Sequence, residues 1–162
     1  MVRMTVQKVG IDPSRQALVI LADEDGRRLL PILIGLFEAQ SIAMAISGED
    51  IGRPLTHDLL LSVITQLGWR LDRVEVTKLA DKTFYALLQL ERGGETLAID
   101  SRPSDAIALA LRANAAIFVA DEVLARAEVI DDSAEQAEQE AEDVQKFRDL
   151  LGRIDLGEDL PE

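Results

Sequence analysis

The chain has no cysteine among its 162 residues. A disulfide framework and a thiolate metal site are therefore both excluded. With a single histidine, any metal would be held chiefly by carboxylates and other oxygens, a donor set that suits Mg²⁺ or Mn²⁺ better than Zn²⁺. Aromatics are scarce: Phe37, Trp69, Phe84, Tyr85, Phe118 and Phe147 are too scattered for a base-stacking platform, and core packing is the expected job of most. Basic residues are outnumbered, 17 Lys and Arg against 30 Asp and Glu. A broad cationic footprint is thus missing, and counterion release could not drive strong nonspecific binding of nucleic acid by a single copy. No apolar run is long enough to span a bilayer, and Met1–Gln7 lacks a signal-peptide hydrophobic region. The expectation is a cytoplasmic protein without membrane contact. Three sequence devices are also absent: a phosphate-cradling glycine loop, Gly-x-Ser-x-Gly, and His-Glu-x-x-His.

What is present is unevenly distributed. Residues 131–162 hold 12 acidic and 3 basic residues, whereas residues 1–130 hold 18 and 14. The reading is a mildly acidic globular domain over 1–130, long enough to bury a core unaided, followed by an acidic helical extension over 131–162. In the extension, Ser133–Glu142 has helix propensity but hardly any apolar stripe, and Val144, Phe147, Leu150 and Leu151 then recur at helical spacing. It reads as either a solvated tail or a docking helix.

Within 1–130 the pattern alternates between two periods. Met1–Val9, Ala17–Ala22 and Arg28–Ile34 read as strands, joined by Asp12-Pro13-Ser14 and by Asp23-Glu24-Asp25-Gly26. Pro31 demotes the third to an edge or a bulge. Phe37–Ile46 is helical and stops at Gly48. Thr56–Leu67 is a second helix, with Thr56 as its cap, Leu60, Val63, Ile64 and Leu67 as its core stripe, and Gly68 as its stop. Arg70–Lys78, Thr83–Glu91 and Glu95–Asp100 form a second group of strands, the last two joined by the hairpin signal Gly93-Gly94. A helix follows whose stretch Ala106–Leu111 has no polar face, which predicts burial. Ile117–Ala120 reads as a short strand and Asp121–Ala127 as a short helix. The fold class is α+β, with antiparallel or mixed strands in two groups and helices interspersed.

Two stretches resemble each other: Arg53-Pro54-Leu55-Thr56-His57-Asp58 and Arg102-Pro103-Ser104-Asp105. Each has Arg-Pro, a hydroxyl and an aspartate ahead of an apolar helix. The structural reading is capping, by Thr56, Ser101 and Ser104, with acids complementing the positive helix end. The arginines fit that reading poorly. A cation at a helix N-terminus opposes the dipole, so each arginine should pair with a carboxylate or bind an anion such as phosphate. His57, in a first turn, is expected to be neutral and able to act as base or ligand. Asp100 and Asp105 flank a strand-to-helix corner, where they could share a divalent cation or split acid and base roles, or serve as ion-pair partner and cap. Glu38 is a third acidic candidate at another helix start.

These residues resemble the bifunctional nuclease family. The resemblance rests on Leu30-Pro31-Ile32-Leu33-Ile34-Gly35 with Glu38-Ala39 and Ile42-Ala43, on Arg53-Pro54-Leu55-Thr56-His57-Asp58-Leu59, on Phe84-Tyr85-Ala86, and on Ile99–Ala110, in that order across residues 1–130. Ser101 departs from the family's usual alanine. The resemblance implies an α+β domain, usually homo-oligomeric, whose members cleave DNA and RNA. It carries Glu38, Arg53, His57, Asp58, Asp100, Arg102, Ser104 and Asp105 forward as candidates, without a settled catalytic set. Two hypotheses follow. In the first the protein is a phosphodiester hydrolase: Glu38, Asp100 and Asp105 hold Mg²⁺ or Mn²⁺, His57 with Asp58 and Asp105 handles the proton, and Arg53, Arg102 and Ser104 bind phosphate. In the second it is a non-enzymatic oligomeric or regulatory module, and the same residues form caps and ion pairs.

Overall fold

The computed structural model describes residues 1–127 together with Ile130 and Asp131. The acidic helix expected over 133–142 and the apolar positions Val144, Phe147, Leu150 and Leu151 lie outside the described residues. The first strand group is an antiparallel meander of β1 (Val2–Ile11), β2 (Ala17–Asp23) and β3 (Arg28–Ile34). The second is another, of β4 (Arg70–Ala80), β5 (Thr83–Arg92) and β6 (Glu95–Ser101). Gly93 and Gly94 both take positive φ at its second turn, as a two-residue turn matched to strand twist requires. The four-residue β7 (Ala116–Val119) lies between the meanders, antiparallel to β1 and parallel to β4. The first seven strands are thus one mixed sheet, in the order β6-β5-β4-β7-β1-β2-β3. Pro31 pairs opposite Ile20 with no slip in register, so the proline brings no bulge to the β2–β3 pairing.

Among the described residues four helices accompany the strands: α1 (Leu36–Ser47), α2 (Thr56–Gln66), α3 (Pro103–Ala113) and α4 (Asp121–Arg126). The unbroken apolar run does bury α3: Ala106, Ile107, Ala108, Leu109 and Ala110 are all solvent-excluded. They share one core with Val19, Leu21 and Leu30 of the first meander and Val74, Val76 and Leu88 of the second. Both α1 and α2 pack on α3.

Two expectations fail here. Of the stripe Leu60, Val63, Ile64 and Leu67, only Ile64 is buried; Leu60, Val63 and Leu67 are exposed. The inward face of α2 runs through His57, Leu61 and Ile64, turned about one residue from the predicted stripe. The second failure is capping. Thr56 is the first helical residue, not the cap; Leu55 precedes it, and Arg102 occupies the corresponding place before α3. No side chain caps either helix. Ser101 Oγ donates instead to the Arg102 carbonyl. The first-turn device that recurs is a carboxylate at the third helical position: Glu38 in α1, Asp58 in α2 and Asp105 in α3.

Candidate active site

The starts of α2 and α3 meet. His57 Nε2 lies 2.9 Å from Asp105 Oδ1, and the far ring nitrogen, Nδ1, lies 2.8 Å from Ser41 Oγ on α1. Arg102 binds Asp105 twice, Nε to Oδ2 at 2.7 Å and an NH₂ group to Oδ1 at 3.0 Å. The same guanidinium reaches Glu38 Oε1 at 2.9 Å. A continuous line of polar contacts therefore runs Glu38–Arg102–Asp105–His57–Ser41, across three helices. The backbone makes room for it: a Cβ on Gly35 would overlap Glu38 Oε2, so glycine lets that side chain fold back over the start of α1.

A second ion pair braces the first. Asp58 accepts the Leu55 amide at 2.8 Å and Arg112 Nε at 2.6 Å. Arg112, nearly buried in the last turn of α3, also donates to the Ala108 and Ser41 carbonyls. Its guanidinium thus fixes α1 and the start of α2 to one helix. Sequence reasoning missed both Arg112 and Ser41. The signals were helical spacing: Arg112 stands seven residues after Asp105 and Ser41 three after Glu38, each on the same helix face as a residue the motifs had singled out.

The electrostatics follow from these contacts. Burial works to raise the Asp105 carboxyl, but hydrogen bonds from Arg102 and then His57 outweigh it and hold it below the ordinary carboxylate range. The Leu55 amide, then Arg112, hold Asp58 low against a smaller burial effect. Asp105 and then Glu38 push the Arg102 guanidinium up. A charged Asp105 dictates the imidazole tautomer: Nε2 carries the proton and donates to the carboxylate, leaving Nδ1 to accept the Ser41 hydroxyl.

Of the predicted residues, Glu38, His57, Arg102 and Asp105 converge, and Asp58 adjoins them through Arg112. Asp100 does not. It pairs across from Leu87, whereas its neighbour Ile99 pairs with core-facing Leu88, so strand alternation turns Asp100 to the opposite face of the sheet. Ser104 is buried in the first turn of α3. Arg53 is exposed and, among the described residues, has no ion-pair partner; the two Arg-Pro corners differ because Pro103 is the first residue of α3 while Pro54 precedes Leu55. Arg53 and Arg112 both line a cleft of about 450 Å³ with Asp58. The expected ligand set of Glu38, Asp100 and Asp105 does not assemble: Arg102 occupies the first and last, and among the described residues no three His, Asp or Glu side chains could hold a metal ion. Phe37 is not one of the core aromatics: it is 84% exposed and lines a second cleft.

The family model described as the bifunctional nuclease domain matches residues 19–132. An uncharacterized protein of Mycobacterium tuberculosis (strain ATCC 25618 / H37Rv) is 38% identical over 156 residues, spanning 92% of this chain and 93% of its own length. Bifunctional nuclease 1 of Arabidopsis thaliana is 31% identical over 105 residues, 62% of this chain and 32% of the plant protein. Bifunctional nuclease 2 of Oryza sativa subsp. japonica is 32% identical over 108 residues, 64% and 33% respectively. The match therefore spans about a third of each of these two plant proteins.

Proposed function

Because this chain belongs to the bifunctional nuclease domain family, we propose that it hydrolyses phosphodiester bonds in DNA and RNA. The observation that carries the reading is the contact line itself: an imidazole oriented by a charged carboxylate, with an arginine on that same carboxylate. In the proposed mechanism His57 Nδ1, giving up its contact with the Ser41 hydroxyl, takes the proton of the attacking water. Asp105 holds the ring and stabilises the imidazolium that forms. Arg102 and Arg53, the exposed cations of the two Arg-Pro corners, bind substrate phosphates and offset the charge that builds on phosphorus. Asp58 positions His57 by fixing the first turn of α2 to Arg112. Mg²⁺ or Mn²⁺ is the expected cofactor, but with Asp100 turned away and Arg102 on Glu38 and Asp105, no step is assigned to a metal. The test is cleavage of single- and double-stranded DNA and of RNA by the purified chain, in Mg²⁺, Mn²⁺ and EDTA. Cleavage that copurifies with the protein supports the reading; its absence in all three conditions contradicts it.

A second reading has its own observation. Leu59, Leu60, Val63 and Leu67 leave an apolar stripe of α2 exposed, and Leu97 and Ile99 are exposed on the core-facing side of β6. Exposed apolar surface such as the α2 stripe marks an interaction site. We propose a homo-oligomer built on the α2 stripe. In the non-enzymatic version, the ion pairs between α1, α2 and α3 only brace the oligomer. Mass measured by light scattering tests the assembly, and a stable oligomer that cleaves no nucleic acid would favour this version.

A further inference from the structure

The nuclease reading leaves Ser41 and its surroundings unused. Ser41 Oγ donates to His57 Nδ1 at 2.8 Å, and His57 Nε2 donates to Asp105 at 2.9 Å. Arg102 holds Asp105 from the other side through two hydrogen bonds. This is the connectivity of a hydroxyl nucleophile, its base and the carboxylate that orients the base, with the ring turned round relative to the chymotrypsin-type triad: Nδ1 faces the serine and Nε2 the aspartate. Either ring nitrogen can accept the proton, so the inversion does not alter the chemistry. The line does not end in solid core. Ser41 and His57 border a cleft of about 690 Å³ between α1 and the start of α2, within the size range of small-molecule sites.

The cleft walls choose the substrate. Phe37, Ala43, Met44, Ile51 and Leu55 supply apolar surface, Glu49 is the one charged side chain, and none of the lining residues is Arg or Lys. A phosphate lodged inside the cleft would meet no cation and one anion, so a phosphodiester would have to keep its phosphate outside, toward Arg53 and Arg102. A neutral ester with an apolar acyl chain would meet a matching wall. The start of α2 lies on the same cleft, through Leu55, Thr56 and His57. Leu55, in the capping place, has no side-chain acceptor, and of the backbone amides the Asp58 carboxylate takes only that of Leu55. The amides of the helical residues that follow have no acceptor within the helix, and such first-turn donors suit a developing oxyanion.

We propose that Ser41, His57 and Asp105 form a serine-hydrolase centre that cleaves neutral carboxylic esters with apolar acyl groups, a second activity distinct from phosphodiester cleavage. Ser41 Oγ attacks the ester carbonyl carbon as its proton passes to His57 Nδ1. The tetrahedral intermediate collapses with cleavage of the acyl carbon–oxygen bond, and the Nδ1 proton goes to the departing alkoxide, which leaves as the alcohol. Water then attacks the acyl-Ser41 carbonyl, giving its proton to His57. On collapse that proton returns to Ser41 Oγ, and the carboxylic acid is released. Asp105 accepts the Nε2–H hydrogen bond throughout and stabilises the imidazolium.

The test is covalent. The full chain is treated with a fluorophosphonate probe and the adduct mapped by peptide mass spectrometry, in parallel with hydrolysis of p-nitrophenyl acetate, butyrate and octanoate. A single adduct on Ser41 is expected, together with a kcat/KM that rises from acetate to butyrate and falls by at least about 100-fold in Ser41→Ala. An adduct elsewhere, no adduct, or ester hydrolysis by Ser41→Ala at the wild-type rate overturns the proposal. Should Ser41→Ala fail to fold, adduct mapping on the unaltered chain decides alone. Mapping also separates the activity from that of a contaminating esterase.

Discussion

Arg112 shows how much a single side chain holds in place. It is 10% exposed and bonds Asp58, the Ala108 carbonyl and the Ser41 carbonyl, so it ties α1, α2 and α3 together. Arg112→Ala is expected to cost about 1–3 kcal/mol, read from urea unfolding, because it unties three helices and leaves Asp58 with only the Leu55 amide and solvent. Arg112→Lys should recover less than half of that, since an ammonium cannot reproduce the planar fork; full recovery would show that charge alone matters. The depressed carboxyls give a pH prediction. Asp58 and Asp105 both sit below the ordinary value in the folded protein. Their contribution is therefore fully present above the unfolded carboxylate pKa, about 3.9, and is lost as pH falls through the folded values. The melting temperature should be flat at neutral pH and drop below about pH 4, and Asp58→Asn should make that drop shallower. An unchanged acid limb in Asp58→Asn would mean that Asp58 is not ion-paired in solution.

At the scale of elements, α2 separates what the sequence discloses from what it hides. Its span is legible from Thr56 and Gly68, but its orientation is not. Apolar residues run nearly round the helix, from Leu59, Leu60 and Leu61 to Val63, Ile64 and Leu67, so periodicity alone permits more than one inward face. Packing against α3 selects Leu61 and Ile64, and the same rotation turns His57 toward Asp105. Asp100 lies apart from the others for a related reason. Its spacing from Asp105 is suggestive, but which face a strand residue takes depends on the register with β5. By contrast, α3 was legible because a helix apolar all round can only be buried. Ile64→Ala is expected to cost about 2–4 kcal/mol and Val63→Ser less than about 0.5 kcal/mol in monomer stability. Val63→Asp should instead lower the mass measured by light scattering if the α2 stripe is the oligomer face. An equal cost at both positions would restore the original stripe.

For the molecule as a whole, the decisive element is its shortest well-packed strand. The two meanders were readable from their turns, yet nothing local in Ala116–Val119 announces that it joins them; that depends on long-range pairing with β1 and β4. The sheet and the core of α3 are continuous through β7, so residues 1–130 should unfold as one unit. Urea transitions followed by Trp69 fluorescence, at the start of the second meander, and by far-UV circular dichroism should coincide. The same continuity gives the site its rigidity: α3 is fixed by the core of both meanders and carries Asp105 and Arg112, while α1 and α2 bring Glu38, Ser41, His57 and Asp58 to it. The measurement that tests the nuclease account most directly is the rate of nucleic-acid cleavage by Asp105→Asn beside wild type, at a temperature where circular dichroism shows both folded. Asparagine keeps the shape but removes the charge that orients His57 and binds Arg102. A loss of at least about 100-fold is predicted; cleavage at the wild-type rate would contradict the account.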